Sequence, residues 1–238
     1  MITKVTIYGE RCSGTNYLEE LLLLNFDVEI VWDYGWKHFF GFNNLTGADD
    51  VLFIGIIRNL EDWINSLYRI PHHLPSKLTE SIDTFLTDTF YSTTETGDDI
   101  LSTDLNMETN QKYKNIFELR LIKNLFLIEK MPLLVENYCL ITYDDLINNF
   151  VKIMNKIKEC GLQIKHDIEF PLNISYYKKE KTEVFIKKVN EISSDKIKSL
   201  MGDNKELLYY ENLLFHNGDT PSAPTTTHSI VRGVPVNN

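Results

Sequence analysis

A chain of 238 residues with 43% hydrophobic content is long enough to enclose one domain around a sizeable core. Its formal net charge of −10 repels nucleic acid and anionic membranes, so neither is expected as a general partner. A polyanionic ligand would need cations gathered locally, and those at hand are Arg11, Lys37, Arg58 and the cluster Lys178, Lys179, Lys181. The three cysteines, Cys12, Cys139 and Cys160, are widely spaced and include no C-x-x-C pair. That count argues against a disulfide framework and a structural zinc site, and favours a reducing compartment. No signal-peptide pattern follows Met1, and no run reaches the roughly 18 apolar residues of a membrane span. The expected location is cytoplasmic.

In chain order, residues 3–8 read as a buried strand and 14–25 as a helix, joined by a glycine-containing turn. Residues 27–32 alternate as a second strand, and 51–57 form a continuous apolar run suited to a central strand covered on both faces. Asn59 is placed to cap a helix with Glu61 and Asp62 in its first turn, running to about Arg69 before Pro71. Residues 74–111 are polar and acidic around one helical segment near 80–91, and read as a variable flap or insertion. A strongly apolar helix is predicted over 112–131, ended by Pro132, then a strand over 137–142 and an amphipathic helix over 143–159 closed by Gly161. A basic stretch at 176–188 and a helix near 193–201 follow. The Pro/Thr/Ser-rich remainder reads as a tail, giving one domain over 1–216 and a low-complexity segment over 217–238.

Strands alternating with helices predict an α/β fold of three layers, α/β/α, about a central, mostly parallel sheet. Such sheets bind ligands at the carboxyl ends of their strands. The segments after residues 8, 32 and 57, which hold the notable motifs, all fall there.

The first motif is Tyr8-Gly9-Glu10-Arg11-Cys12-Ser13-Gly14-Thr15-Asn16. Strand, turn and helix in that order aim backbone N–H groups and a positive helix end at a phosphate or sulfate. Set against G-x-x-x-x-G-K-[ST], Gly9 and Gly14 fit, but Thr15 stands at the lysine and Asn16 at the magnesium-binding hydroxyl. The turn is built for an anion without the usual metal. Cys12 has two readings: a thiol whose pKa the helix end lowers, or a small residue suited to a tight turn. In Trp36-Lys37-His38, a neutral imidazole can accept a proton at pH 7 and an ammonium can offset charge on a leaving oxygen. The aromatics Trp32, Tyr34, Trp36, Phe39 and Phe40 surround that pair in sequence. Arg58, ending the 51–57 strand, is held where its fork can grip a phosphate, with Ser66 on the next helix to add a hydroxyl.

Taken together, Ser13-Gly14-Thr15 and Ile56-Ile57-Arg58-Asn59 with Ser66 eight residues past the arginine resemble the 5′-phosphosulfate and 3′-phosphate motifs of sulfotransferases. Asp62-Trp63, Ser66-Leu67-Tyr68-Arg69, the segment from Asn115 to Arg120 and that from Ile141 to Leu146 are similar to segments of the small bacterial and viral members. The likeness covers about residues 3–150 and weakens toward 215. It implies a P-loop-like sulfotransferase fold and transfer of a sulfuryl group from 3′-phosphoadenosine 5′-phosphosulfate, with no metal, to a hydroxyl or amine on a small molecule or glycan. By the same resemblance Arg11, Cys12, Ser13, Gly14, Thr15 and Asn16 surround the 5′-phosphosulfate. Arg58, Ser66, Lys178 and Lys179 lie at the 3′-phosphate, and Tyr143 approaches the nucleotide. His38 is the base, with Lys37 and Arg11 stabilising developing charge. Many members carry lysine where this chain has Cys12, so the charge falls to Arg11 or Lys37. A P-loop nucleotide or nucleoside kinase, and a non-catalytic nucleotide-binding relative, are the competing readings.

Overall fold

The computed structural model describes residues 2–97, 99–165 and 189–215, together with the backbone of 177–178 and 181–182. Four parallel strands form the sheet: β1 (Lys4–Tyr8), β2 (Glu29–Ile30), β3 (Val51–Ile57) and β4 (Tyr138–Thr142), in the order β2-β1-β3-β4. The chain therefore leaves β1 to one side for β2, then crosses back over β1 to reach β3. The crevice created by that reversal opens at the carboxyl ends of β1 and β3, where α/β sheets bind ligands. β2 is shorter than the alternation over 27–32 implies, because only Glu29 and Ile30 pair with β1.

Side-chain alternation along the strands divides the core. Val5, Ile7, Leu52, Ile54, Ile56, Cys139 and Ile141 face a layer made by α1 (Thr15–Asn25), α6 (Tyr143–Asn148) and α7 (Phe150–Glu159). Tyr8, Phe53 and Ile57 face the opposite way, onto Phe40, Phe126 and Met131. Beside this second face, α2 (Leu60–Arg69), α3 (Ile82–Thr87), α4 (Ile116–Leu125), α8 (Ser194–Met201) and α9 (Lys205–Phe215) close around Trp63, Phe85, Phe90 and Tyr113. The three layers agree with the predicted class. Among the described residues no helix is long and apolar enough to cross a membrane.

Several predicted elements differ. Residues 74–111 are not a flap: Phe85, Phe90 and Ser92 are fully buried and Asp104 is 1% exposed. Four of the polar residues there, Ser92, Thr93, Asp104 and Asn106, are buried, and Asp104 is paired with Ser92, Arg11 and Lys123. The helix predicted over 112–131 starts at its Asn115 cap, whose side chain accepts from the Glu118 N–H at 3.0 Å. It also does not stop at Pro132. A π-helical turn over Phe126–Lys130 widens the ladder, and Pro132 enters the next short helix, α5 (Met131–Leu134), at its first turn. Proline has no N–H to give, and the Tyr138 hydroxyl donates to the carbonyl of Leu127 at 2.6 Å instead. The single helix expected over 143–159 is broken at Asn149 into α6 and α7. Helix α9 was not predicted, although Leu207, Tyr210 and Glu211 recur on its buried face. The short antiparallel pair Tyr177–Lys178 and Lys181–Thr182 (β5, β6) falls in the basic stretch. The side chain of Lys178, all of Lys179, and the tail expected over 217–238 lie outside the described residues.

Candidate functional site

The turn between β1 and α1 folds as the sequence implies, with glycine where only glycine fits. A Cβ on Gly9 would stand 2.6 Å from the Ser13 hydroxyl and 2.7 Å from the Ile56 carbonyl. Gly14 has φ +96°, and a Cβ there would collide with the ring of Tyr143 at 2.2 Å. Cys12 also adopts a left-handed conformation, φ 64°, which a non-glycine residue holds only at a cost in strain. No side chain caps the start of α1, and its first turn carries no acid. By contrast, side chains cap the start of α2: Asn59 accepts from the Asp62 N–H at 2.9 Å, and the Glu211 carboxylate accepts from the Leu60 N–H at 3.2 Å. The positive end left for a ligand is that of α1.

The three motifs that lie far apart in sequence come together around this turn. From the far side of β1, the Gly9 N–H donates to the Lys37 carbonyl at 2.9 Å, and the His38 ring contacts the Gly9 carbonyl through Nδ1 at 2.8 Å. From β3, Arg58 donates through one terminal nitrogen to the Cys12 carbonyl at 3.1 Å, and its guanidinium lies 4.9 Å from the centre of the Tyr143 ring. From α2, the Ser66 hydroxyl meets the Cys12 thiol, and the Trp63 indole donates to the Arg11 carbonyl at 2.9 Å. The Ser13 hydroxyl and Arg58 Nε are both buried with no hydrogen-bond partner. Buried polar atoms are almost always paired, so these two orphans, one on the turn and one just past β3, are the candidate contacts for a ligand's oxygens.

Lys37 turns its ammonium to the start of α1, against the Asn16 side chain and 3.2 Å from Glu19. It also faces the rings of Trp32 and Trp36 at 5.3 and 5.2 Å. Trp36 is 47% exposed, whereas Phe39 and Phe40 are buried, so of the five aromatics only part forms an accessible surface. A cleft of about 560 Å³ is lined by Gly41, Asn43, Asn44, Thr46 and neighbours. It lies along residues 41–49, after the Lys37-His38 pair, and includes no residue of the 9–16 turn.

One assignment changes and one open reading closes. Arg11 is 3% exposed and points into the protein, donating to the His72 carbonyl at 2.8 Å and pairing with Asp104 at 3.4 Å. Its guanidinium serves the core rather than the turn, because a buried carboxylate claims it. Cys12 does not become a thiolate: burial pushes its pKa up, outweighing the Ser66 hydrogen bond and the charges of Arg11 and Arg58. The residue is small enough to hold the left-handed turn position despite that strain, and it brings no charge.

No family model, curated protein or solved structure matches this chain. The site therefore rests on its own geometry.

That geometry includes residues the sequence did not single out. Lys123, fully buried on α4, donates to the His38 carbonyl at 2.7 Å, pairs with Glu10 at 3.2 Å and contacts the Asp104 carboxylate. Asp104 also accepts from Ser92. Burial alone would raise the Asp104 pKa, but Lys123 and Arg11 together hold it below the usual carboxylate range. Glu10 is pushed the other way, chiefly by burial. This cluster ties residues 10, 11 and 38 to one helix. A second buried pair, Arg120 with Glu211 at 2.8 Å, joins α4 to α9, and Arg120 also donates to the Arg58 carbonyl. The available signal was charge on an apolar helix face, since a buried charge is retained only with partners. Arg120 and Lys123 interrupt the run from Ile116 to Phe126 in that way.

His38 is held in one protonation state. A carbonyl only accepts, so Nδ1 carries the hydrogen and Nε2 the lone pair. Burial, with smaller contributions from the charges of Arg11, Lys37 and Lys123, brings its pKa from 6.5 down to about 3. Between those two values the unfolded chain binds more protons at this residue, so folding stability falls as pH falls through that window. From pH 7 to pH 5 the expected loss from His38 is about 2 kcal/mol. The substitution His38→Asn keeps a donor for the Gly9 carbonyl and removes the titration. Urea unfolding across this range should show a flatter pH dependence for the variant; parallel curves would show that His38 is not held neutral.

Proposed function

We propose that this protein is a sulfotransferase acting on 3′-phosphoadenosine 5′-phosphosulfate, with the 5′-phosphosulfate at the 9–16 turn and the 3′-phosphate at Arg58 and Ser66. The observation that carries the reading is the unpartnered pair, Ser13 Oγ and Arg58 Nε, beside an uncapped helix start. Those groups fit a ligand with anionic ends, and an anion is favoured at such a helix terminus. When bound, the nucleotide supplies the activated sulfuryl group.

The protein's part is then to bind and orient. Ser13, the backbone at Gly14 to Asn16 and Lys37 stabilise charge around the sulfate end, and preorganised donors of this kind act most strongly where water is excluded. Arg58, braced by the Tyr143 ring and by the Arg120 contact to its carbonyl, holds the other end. His38 accepts the proton of a hydroxyl or amine at Nε2. Its low pKa in the free protein reflects burial among cations, and a bound polyanion beside it raises its basicity. A small-molecule or glycan acceptor would approach past the exposed Trp36.

A second reading, a nucleotide-binding relative without transfer, is favoured by the same low His38 pKa and by the diversion of Arg11 into the core. One assay separates the readings. Radiolabelled 3′-phosphoadenosine 5′-phosphosulfate is incubated with EDTA and a panel of hydroxyl and amine acceptors. Label in an acceptor, lost in His38→Asn, supports transfer. Binding of the nucleotide without transfer supports the second reading; in a parallel incubation with ATP and magnesium in place of EDTA, phosphoryl transfer would replace both with a kinase.

A further inference from the structure

Away from the nucleotide site, the fold brings two cysteines together. Cys139 lies within β4, opposite Ile54 of β3, and is 2% exposed. Cys160 ends α7 and is partly exposed. Both are free thiols, hydrogen-bonded to each other, in the apolar layer between the sheet and α7. The Cys160 thiol also reaches the Lys156 carbonyl at 3.3 Å, while the Lys156 ammonium donates to the Leu140 carbonyl at 2.7 Å and so stands beside both cysteines. Glu159 is the opposing charge nearby.

We propose that Cys139 and Cys160 form an oxidisable pair that closes to an intramolecular disulfide joining β4 to α7, with Cys160 as the attacking thiolate and Cys139 as the resolving thiol. The roles follow from exposure and from the shared hydrogen. Cys160 is the one a small oxidant can reach. The hydrogen bond from Cys139 brings the Cys160 pKa down to about 7 and pushes that of Cys139 up. A thiolate in that range is present in quantity at neutral pH and still nucleophilic.

With hydrogen peroxide as oxidant the steps balance. The Cys160 thiolate attacks one peroxide oxygen, the O–O bond breaks, and a sulfenic acid forms as hydroxide leaves and takes up a proton to give water. The Cys139 sulfur, losing its proton, then attacks the sulfenic sulfur. The S–S bond forms, the S–O bond breaks, and a second water departs. Two thiols are oxidised and one peroxide is reduced to two waters. Cys12, with its pKa raised by burial, is an internal control.

The test treats the full chain with hydrogen peroxide, alkylates remaining thiols and maps peptides without reduction. The expected result is a linked pair of peptides containing Cys139 and Cys160, a mass lower by two hydrogens, Cys12 still alkylated, and reversal by dithiothreitol. In Cys139→Ser, dimedone should trap a sulfenic acid on Cys160 with no cross-link. Oxidation of Cys160 to sulfinic acid in the parent while Cys139 stays alkylatable, or cross-links only between chains, would overturn the proposal. The parent mapping decides the matter even where a variant fails to fold.

Discussion

Lys123→Met is expected to destabilise the fold by about 3–5 kcal/mol, because removing one partner of a buried ion cluster leaves its charges uncompensated. Lys123 is 1% exposed and serves Glu10, Asp104 and the His38 carbonyl at once. Without it, two buried carboxylates share a single cation, Arg11, whose guanidinium pairs with Asp104. The loss should also depend on pH in a particular sense. In the parent, Asp104 has a lowered pKa, so its stabilisation is present above the unfolded carboxylate value and fades as pH falls. In the variant both carboxyls are pushed up, the folded state binds more protons than the unfolded one, and acid relieves the repulsion. Urea denaturation at neutral and mildly acidic pH should therefore show a gap between parent and variant that narrows toward acid. A gap under 1 kcal/mol at neutral pH would mean the cluster is not the brace described.

Arg58→Ala is expected to weaken binding of adenosine 3′,5′-bisphosphate about 100-fold, since each charge-assisted hydrogen bond contributes about 1.5–3 kcal/mol and each 1.4 kcal/mol is a factor of ten. The fold should survive the change. The guanidinium makes one hydrogen bond to the Cys12 carbonyl and a ring contact with Tyr143, and the carbonyl of residue 58 keeps its contact with Arg120. Arg58→Lys should recover only part of the affinity, because an ammonium cannot reproduce the planar fork. Isothermal titration reads all three proteins directly. Equal affinity in Arg58→Ala and the parent would remove Arg58 from the site.

The parts of the fold that were legible in sequence are those governed by local pattern. The apolar run Val51–Ile57 is the central strand, and the Asn59 cap opens α2 where expected. The same holds for the approach of Arg58 and Ser66 to the 9–16 turn, because strand ends and helix faces fix directions that spacing reveals. What escaped was long-range pairing. Asp104 sits in a polar stretch that reads as surface, and only its contacts with Lys123 and Arg11 explain its burial. Arg11 carries a charge in the 9–16 turn, yet the direction of its side chain depends on a partner 93 positions away. Pro132 reads as a stop because the compensating donor, the Tyr138 hydroxyl, lies on a different element. The Cys139–Cys160 contact was hidden for the same reason, since their spacing matches no motif.

The central claim is that the turn at 9–16 and Arg58 hold the two ends of one adenosine nucleotide without a metal. Its most direct test is thermal unfolding of the parent protein in EDTA with adenosine 3′,5′-bisphosphate at 100 times its Kd. A stabilisation of about 2.7 kcal/mol is expected at that ratio, falling to about 0.4 kcal/mol in Arg58→Ala at the same ligand concentration if its Kd is about 100-fold weaker. No shift in the parent, or a shift of equal size in the variant, would contradict it.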